Sequence, residues 1–219
     1  GRTLGYGLQE RAKLQAVPDA QGPGGRQVLC RYQGQSWCLT LPLPGHHQLY
    51  NALAATAVGL LLGLTPEETA AALRDFQPLD RRSQWLEHDS GLCILNDCYN
   101  ANPGSMAMAL RTLATENQGG QLLAALGDML ELGPATAAAH REVGALAARL
   151  GFAHLILYGN FKHYIQEGAL AAGLPAHRIH LVADHATGAA VVKKVGRPGD
   201  YLLIKGSRGA RMERLLAEL

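Results

Sequence analysis

The sequence predicts an α/β protein: a doubly wound, mostly parallel sheet covered by helices, preceded by a shorter α+β stretch. Three observations carry this. From Trp85 onward, short apolar runs alternate with helical patterns, as in a parallel sheet with crossover helices. Polar, turn-forming clusters recur where those runs end. Residues 1–80 lack that alternation and read instead as β-structure followed by two helices.

The β-structure spans residues 1–43. Val28–Tyr32 and Ser36–Leu41 are rich in β-formers and flank Gln33-Gly34-Gln35, which predicts a hairpin. Gly22-Pro23-Gly24-Gly25 reads as a loop tip, and Pro42-Leu43-Pro44-Gly45 as a sharp break. The opening, Gly1 to Tyr6, carries no helix start or turn of its own and reads as continuing from upstream. An Ala-rich helix with spaced leucines follows over Ala52–Gly63. Thr65-Pro66-Glu67-Glu68 then combines a Thr cap, a Pro at the first helical position and a Glu that completes a capping box. That helix is expected to end near Phe76. Pro78-Leu79-Asp80-Arg81-Arg82 reads as a linker, which sets domains at 1–80 and 81–219.

In the second part the strand candidates are Leu92–Leu95, Leu122–Leu126, His154–Leu157, Ile179–Val182 and Tyr201–Ile204. The helix candidates are Ser105–Thr115, Ala135–Leu150, Lys162–Ala172, His185–Lys194 and Ala210–Leu219. Right-handed crossovers between such strands put helices on both faces.

Composition excludes several classes. With 47% apolar and 17% charged residues, the 219-residue chain has material for a sizeable core. A net charge of +2 with no Lys/Arg run argues against a nucleic-acid partner. Cys30, Cys38, Cys93 and Cys98 form no C-x-x-C pair and read as reduced thiols. The longest apolar run, Leu53 to Leu64, is about half the ~20 residues a membrane span needs. The expectation is a soluble, cytoplasmic protein.

Asn96–Met106, N-D-C-Y-N-A-N-P-G-S-M, is a strand-to-helix turn with more polar side chains than capping requires. Gly127–Gly133 and Lys205–Arg208 follow two other strands, and His47–Asn51 opens the Ala-rich helix. In a parallel sheet the first three share the carboxyl edge, where ligands bind. Asp97 suits either a turn cap or a ribose contact. Asn100 and Asn102 suit turn backbone or substrate equally. Asp128 and Glu131 either cap the helix after Gly133 or meet substrate, and His140 reads as a satisfied structural histidine. Lys205 and Arg208, flanking Gly206 and Ser207, suit an anion; the alternative is a helix start with solvated charges. Arg82 is either solvated or a phosphate contact. The two common phosphate cradles, G-x-x-x-x-G-K-[ST] and G-x-G-x-x-G, are absent from this sequence.

Residues 43–55 (L-P-G-H-H-Q-L-Y-N-A-L-A-A), 78–82 (P-L-D-R-R), 96–106, 127–133 (G-D-M-L-E-L-G) and 199–208 with Met212-Glu213 resemble, in order, blocks of the Mur ligases. The resemblance implies the tail of a central ATP-binding domain over 1–80 and a Rossmann-like C-terminal ligase domain over 81–219. The N-terminal and P-loop domains of the same protein, with the ligands of Mg2+, would lie upstream. It implies ATP-dependent amide-bond formation on a UDP-sugar-peptide through an acyl phosphate, in cell-wall synthesis. The blocks are most like the branch whose acceptor is D-alanyl-D-alanine. By resemblance His47, Asn51, Arg82 and Asp97 bind nucleotide. Tyr99, Asn100, Asn102, Ser207 and Arg208 face the peptide substrates, and Arg82 and Lys205 are the catalytic cations. The chain departs from the family pattern at Gln48, Arg81 and Asn96, where Asn, Gly and Asp are usual. The other readings are a nucleotide- or acidic-peptide-binding module without catalysis, and a Mur-like ligase with another amino-acid acceptor.

Overall fold

A computed structural model describes residues 3–22, 25–41, 46–76 and 80–219. Pro23-Gly24, Pro42–Gly45 and Gln77–Leu79, parts of the expected loop tip, break and linker, lie outside the described residues. The chain divides into two compact units, Gly1–Pro78 and Leu79–Leu219.

In the first unit, β1 (Tyr6–Gly7) pairs in parallel with β2 (Leu14–Gly22). Strands β2, β3 (Gly25–Tyr32) and β4 (Gln35–Leu41) then form an antiparallel meander. The hairpin between β3 and β4 is tighter than expected. Gln33 and Gly34 alone make the turn, with φ of 48° and 79°, the two positive values that match strand twist. Strand β2 was not among the expected elements. It contains Pro18, and its register with β3 shifts between Pro18 and Gln21, the kind of irregularity that tolerates a proline.

Helix α1 (His46–Leu62) begins at the histidines, before the Ala-rich core that predicted it. Helix α2 (Pro66–Arg74) has the expected box: Glu68 N–H donates to Thr65 Oγ1, and Thr65 N–H donates to Glu68 Oε2. Leu14, Ala16, Val28, Cys30, Leu39 and Leu41, at alternate strand positions, bury against Leu49, Ala52, Leu53 and Ala57 of α1.

The second unit is a six-stranded sheet. Its strands are β5 (Gln84–Glu87), β6 (Cys93–Asp97), β7 (Leu122–Leu126), β8 (His154–Leu157), β9 (Ile179–Leu181) and β10 (Tyr201–Lys205). The order is β5-β6-β10-β7-β8-β9; β5 is antiparallel to β6, and the remaining pairs are parallel. Strand β5 is the unexpected member: three half-buried residues and one exposed at an edge leave little periodicity to read.

Alternation along the strands builds two cores. Leu95, Leu122, Ala124, Leu126, Leu155, Leu157 and Leu203 face α3 (Pro103–Glu116), α4 (Thr136–Arg149) and α5 (Lys162–Ala171). Ile94, Leu123, Ala125, Ile156, Leu202 and Ile204 face α6 (His185–Val195) and α7 (Glu213–Ala217). Helices cover both faces, as the doubly wound reading requires. Helix α7 is shorter than expected, because Arg208–Ala210 forms a 3-10 turn and Arg211 is left-handed at φ 49°. Helices α4 and α5 cross closely at Gly144 and Gly168. A Cβ on either would lie 1.9 Å from a carbonyl oxygen of the facing helix.

Candidate ligand-binding site at the carboxyl edge of the sheet

Parallel register sets the site. Lys205, the last residue of β10, lies level with Asp97 on β6 and Leu126 on β7. The segments leaving β7 and β10 are joined to each other. Gly127 N–H donates to the Lys205 carbonyl at 2.8 Å, Ser207 N–H to the Asp128 carbonyl at 2.9 Å, and Leu130 N–H to Ser207 Oγ at 2.8 Å. Segments far apart in sequence thus form one rigid edge.

Asp97 and Lys205 are its anchor. The Lys205 ammonium donates to Asp97 Oδ2 at 2.5 Å, to the Asp97 carbonyl at 3.3 Å and to the Asn100 carbonyl at 3.0 Å. Lys205 is 1% exposed. Its three ammonium hydrogens are directed at these internal acceptors. In this arrangement Lys205 braces the turn after β6. Asp97 accepts from Ser83 N–H through its other oxygen at 2.9 Å. It therefore caps a turn, that of the Arg82–Ser83 segment, and keeps lone pairs for a further donor.

Asn102 takes the structural alternative. It is the N-cap of α3, with Ser105 N–H donating to its Oδ1 at 2.8 Å and its own N–H donating to Ser105 Oγ at 3.0 Å. Asn100 is exposed, and its side-chain oxygen accepts from Ala101 N–H. Asp128 is buried and caps a different segment from the one expected. Its carboxylate accepts from Asn160 N–H at 2.8 Å and Phe161 N–H at 3.0 Å, at the entry to α5. His140 is a satisfied core histidine: Met129 N–H donates to Nε2, and Nδ1 meets the Thr136 carbonyl, which requires a proton on Nδ1. Glu131 is exposed at φ 63°.

The outward groups are Arg82, Tyr99 and Arg208. The Arg82 guanidinium lies 4.0 Å from the centroid of the Tyr99 ring, and both residues are exposed. Arg208, 55% exposed, donates to Glu213 Oε1 at 2.7 Å. Arg81 reaches the same oxygen at 3.2 Å. Arg81 has φ of 62°, a left-handed conformation that suits the glycine usual in the resembling family. Burial alone would push the Glu213 carboxyl up. Hydrogen bonds from its own N–H and from Arg208, with the charges of Arg208 and Arg81, outweigh that and hold it below the usual carboxylate range. Glu213 and Gln84 were not among the expected site residues. Gln84 accepts from Asn96 at 3.2 Å and no motif announces it, whereas Glu213 falls in the Met212-Glu213 extension of the last resembling block.

In the first unit, Asn51 is exposed and donates to Gln48 Oε1 at 3.1 Å. His47 lies within α1, and its side chain is outside the described residues. Burial pushes the Cys98 thiol up to about 11, and burial with the charge of Cys38 pushes Cys30 up to about 12. Neither is an activated nucleophile. Among the described residues no group of three or more His, Cys, Asp or Glu could hold a metal ion. No described helix is long and apolar enough to cross a membrane.

A mostly parallel sheet with helices on both faces and guanidiniums on its carboxyl edge defines a Rossmann-like domain. Residues 81–208 match the family model described as "Mur ligase, glutamate ligase domain". The chain belongs to the Mur ligase family. It is 34% identical over 218 residues to the UDP-N-acetylmuramoyl-tripeptide–D-alanyl-D-alanine ligase of Bacillus subtilis strain 168, covering 100% of this chain and 47% of that protein. The enzyme of the same name from Escherichia coli K12 is 34% identical over 181 residues, 82% of this chain and 38% of that one. A crystal structure of MurF from Acinetobacter baumannii superposes with a TM-score of 0.83 at 26% identity, over 99% of this chain and 46% of that one. The chain thus spans half or less of the length of each of these proteins.

Proposed function

We propose that this chain is the C-terminal part of an ATP-dependent amide-bond ligase of peptidoglycan synthesis. The whole enzyme would join D-alanyl-D-alanine to UDP-N-acetylmuramoyl-tripeptide in the cytoplasm. The names of the relatives support the reaction class. Within the chain, the observation that carries the reading is the exposed Arg82–Tyr99 pair on an edge braced by Asp97 and Lys205. It offers an exposed cation on a hydrogen-bonded edge.

The reaction has two steps. The tripeptide carboxylate oxygen attacks the γ-phosphorus of ATP and ADP leaves, giving an acyl phosphate. The dipeptide amine nitrogen attacks the acyl carbon, and inorganic phosphate leaves as the amide forms. Both steps depend on positioning and on neutralising phosphate charge. Arg82 leaves the Tyr99 ring to meet the nucleotide phosphates, and the free lone pairs of Asp97 accept a ribose hydroxyl. Arg208 takes an oxyanion of a peptide substrate beside Ser207, which is buried with its hydroxyl oxygen accepting from Leu130 N–H, and Tyr99 and Asn100 line its approach. Lys205 and Asn102 act indirectly, by fixing the turn that carries Asp97, Tyr99 and Asn100. In the first unit, read as the tail of the ATP-binding domain, His47 and Asn51 contact the nucleotide. The phosphate cradle and the Mg2+ ligands belong to the rest of the protein.

The test is steady-state kinetics of the complete enzyme carrying Arg82→Ala. Loss of one charge-stabilising donor is expected to lower kcat by about 100-fold or more. Unchanged kcat and KM for ATP would remove Arg82 from the mechanism.

A further inference from the structure

We infer that Glu213 is a positioning residue, holding Arg208 so that its free guanidinium edge can receive an oxyanion, a carboxylate or a phosphate. The inference rests on the reading of this edge as a ligand site.

The geometry has three parts. First, two guanidiniums converge on one oxygen: Nη1 of Arg208 and Nη1 of Arg81 meet Glu213 Oε1 at 2.7 and 3.2 Å. A carboxylate that served only to neutralise one arginine would more often meet its fork with both oxygens. Here a single Nη1 contact leaves the rest of the Arg208 fork uncommitted to Glu213. Second, exposure is asymmetric. The Arg208 side chain is 55% exposed and that of Glu213 20%. The acid is the fixed member and the base faces solvent, whereas an exposed ion pair with two mobile partners contributes little order. Third, Glu213 Oε2 is buried without a hydrogen-bond partner. Leaving an acceptor unsatisfied costs stability, so this placement is not the one that stability alone selects.

Arg81 extends the device. Its backbone is left-handed, its carbonyl accepts from Tyr99 N–H at 3.1 Å, and it is the neighbour of Arg82. Through Glu213, the segment carrying Arg82 and the turn carrying Arg208 share one anchor. An anion on Arg208 would meet a guanidinium already oriented, with less rotamer entropy left to lose.

The test uses residues 1–219 and two plain probes, inorganic phosphate and acetate, titrated while the side-chain N–H signals of Arg208 are followed by NMR. The wild-type chain is expected to bind at least one probe, with the shift centred on Arg208. Glu213→Gln removes the charge and keeps the shape. It should weaken that binding by about fivefold, the worth of roughly one hydrogen bond, with the midpoint of chemical denaturation little changed. Glu213→Asp, which keeps the charge, should recover part of the loss. In the complete enzyme the KM that rises with Glu213→Gln identifies the source: the dipeptide for a carboxylate, ATP for a phosphate. Probe affinity unchanged in Glu213→Gln, lower stability with unchanged affinity, or no probe binding at Arg208 in the wild type would each overturn the inference. Because the probes need no turnover, a failed ligation assay would count against the proposed reaction and not against the role of Glu213.

Discussion

Lys205 and Asp97 stand 108 positions apart in the chain, yet they are level neighbours on adjacent parallel strands, with their side chains 2.5 Å apart. Everything on the carboxyl edge is referred to this pair, because Lys205 also holds the Asn100 carbonyl. A buried cation with one carboxylate partner is costly to orphan. Asp97→Leu removes that partner and leaves the buried ammonium uncompensated, and is therefore expected to destabilise the chain by about 3–5 kcal/mol. The double substitution Lys205→Met with Asp97→Leu should recover part of that, since it leaves no unpaired charge. Urea denaturation of the single and double variants measures both. A single variant as stable as wild type would show that the pair is not the anchor.

Gly159 is held at φ 116°, and a Cβ there would lie 2.3 Å from Asp128 Oδ1. Gly159→Ala is expected to cost about 1–3 kcal/mol from the backbone conformation, and to displace Asp128 from the amides of Asn160 and Phe161. Slowed amide exchange at those two positions marks the intact cap. Its loss in the variant, with a lowered denaturation midpoint, is the expected outcome.

Tyr99 supports Arg82 through its ring face alone. Such an exposed contact is worth about 0.5–1 kcal/mol, so Tyr99→Leu should shift stability by no more than that. Tyr99→Phe keeps the ring and should behave as wild type towards ATP. Tyr99→Leu should change the KM for ATP in the complete enzyme. Equal KM values for the two variants would separate Tyr99 from Arg82.

His154 and His180 stack on β8 and β9, with Nδ1 and Nε2 3.1 Å apart and ring centroids separated by 5.3 Å. Burial lowers both pKa values. The neighbouring charge of His180 adds to the effect at His154, and those of Lys194 and His177 at His180. The unfolded chain therefore binds more protons than the folded one between the lowered values and the ordinary histidine value of 6.5. Stability from this pair is full above that ordinary value and is lost as pH falls through the lowered ones. Denaturation midpoints are expected to drop across that window in wild type and to drop less in His154→Leu. Identical pH profiles would contradict the assignment.

Much of the second unit was legible in the sequence, for a physical reason. Buried parallel strands such as Leu122–Leu126 are continuous apolar runs, and their lengths survive translation into structure almost residue for residue. Strand β5 was not legible, because a four-residue edge strand half exposed carries no period. Helix α7 was read too long, because Arg211 takes a left-handed conformation that composition does not disclose. The site was legible as a location more than as a set of roles. The turn after β6 reads as polar in excess, but the partner of Lys205 is set by register between β6 and β10. Asn102 and Asp128 turned out to cap backbone, a role their residue types already allowed. Glu213 gained its place through Arg81 and Arg208, which no spacing rule connects.

Ligation shows whether this chain belongs to an amide-bond ligase, as proposed. The complete protein is incubated with UDP-N-acetylmuramoyl-tripeptide, ATP and either D-alanyl-D-alanine or single amino acids, beside residues 1–219 alone. The expected result is one ADP and one phosphate per amide formed by the complete protein with the dipeptide, and no turnover by residues 1–219. Ligation by the 219-residue chain without the rest of the protein, preference for a single amino acid, or ATP-independent product would contradict the account.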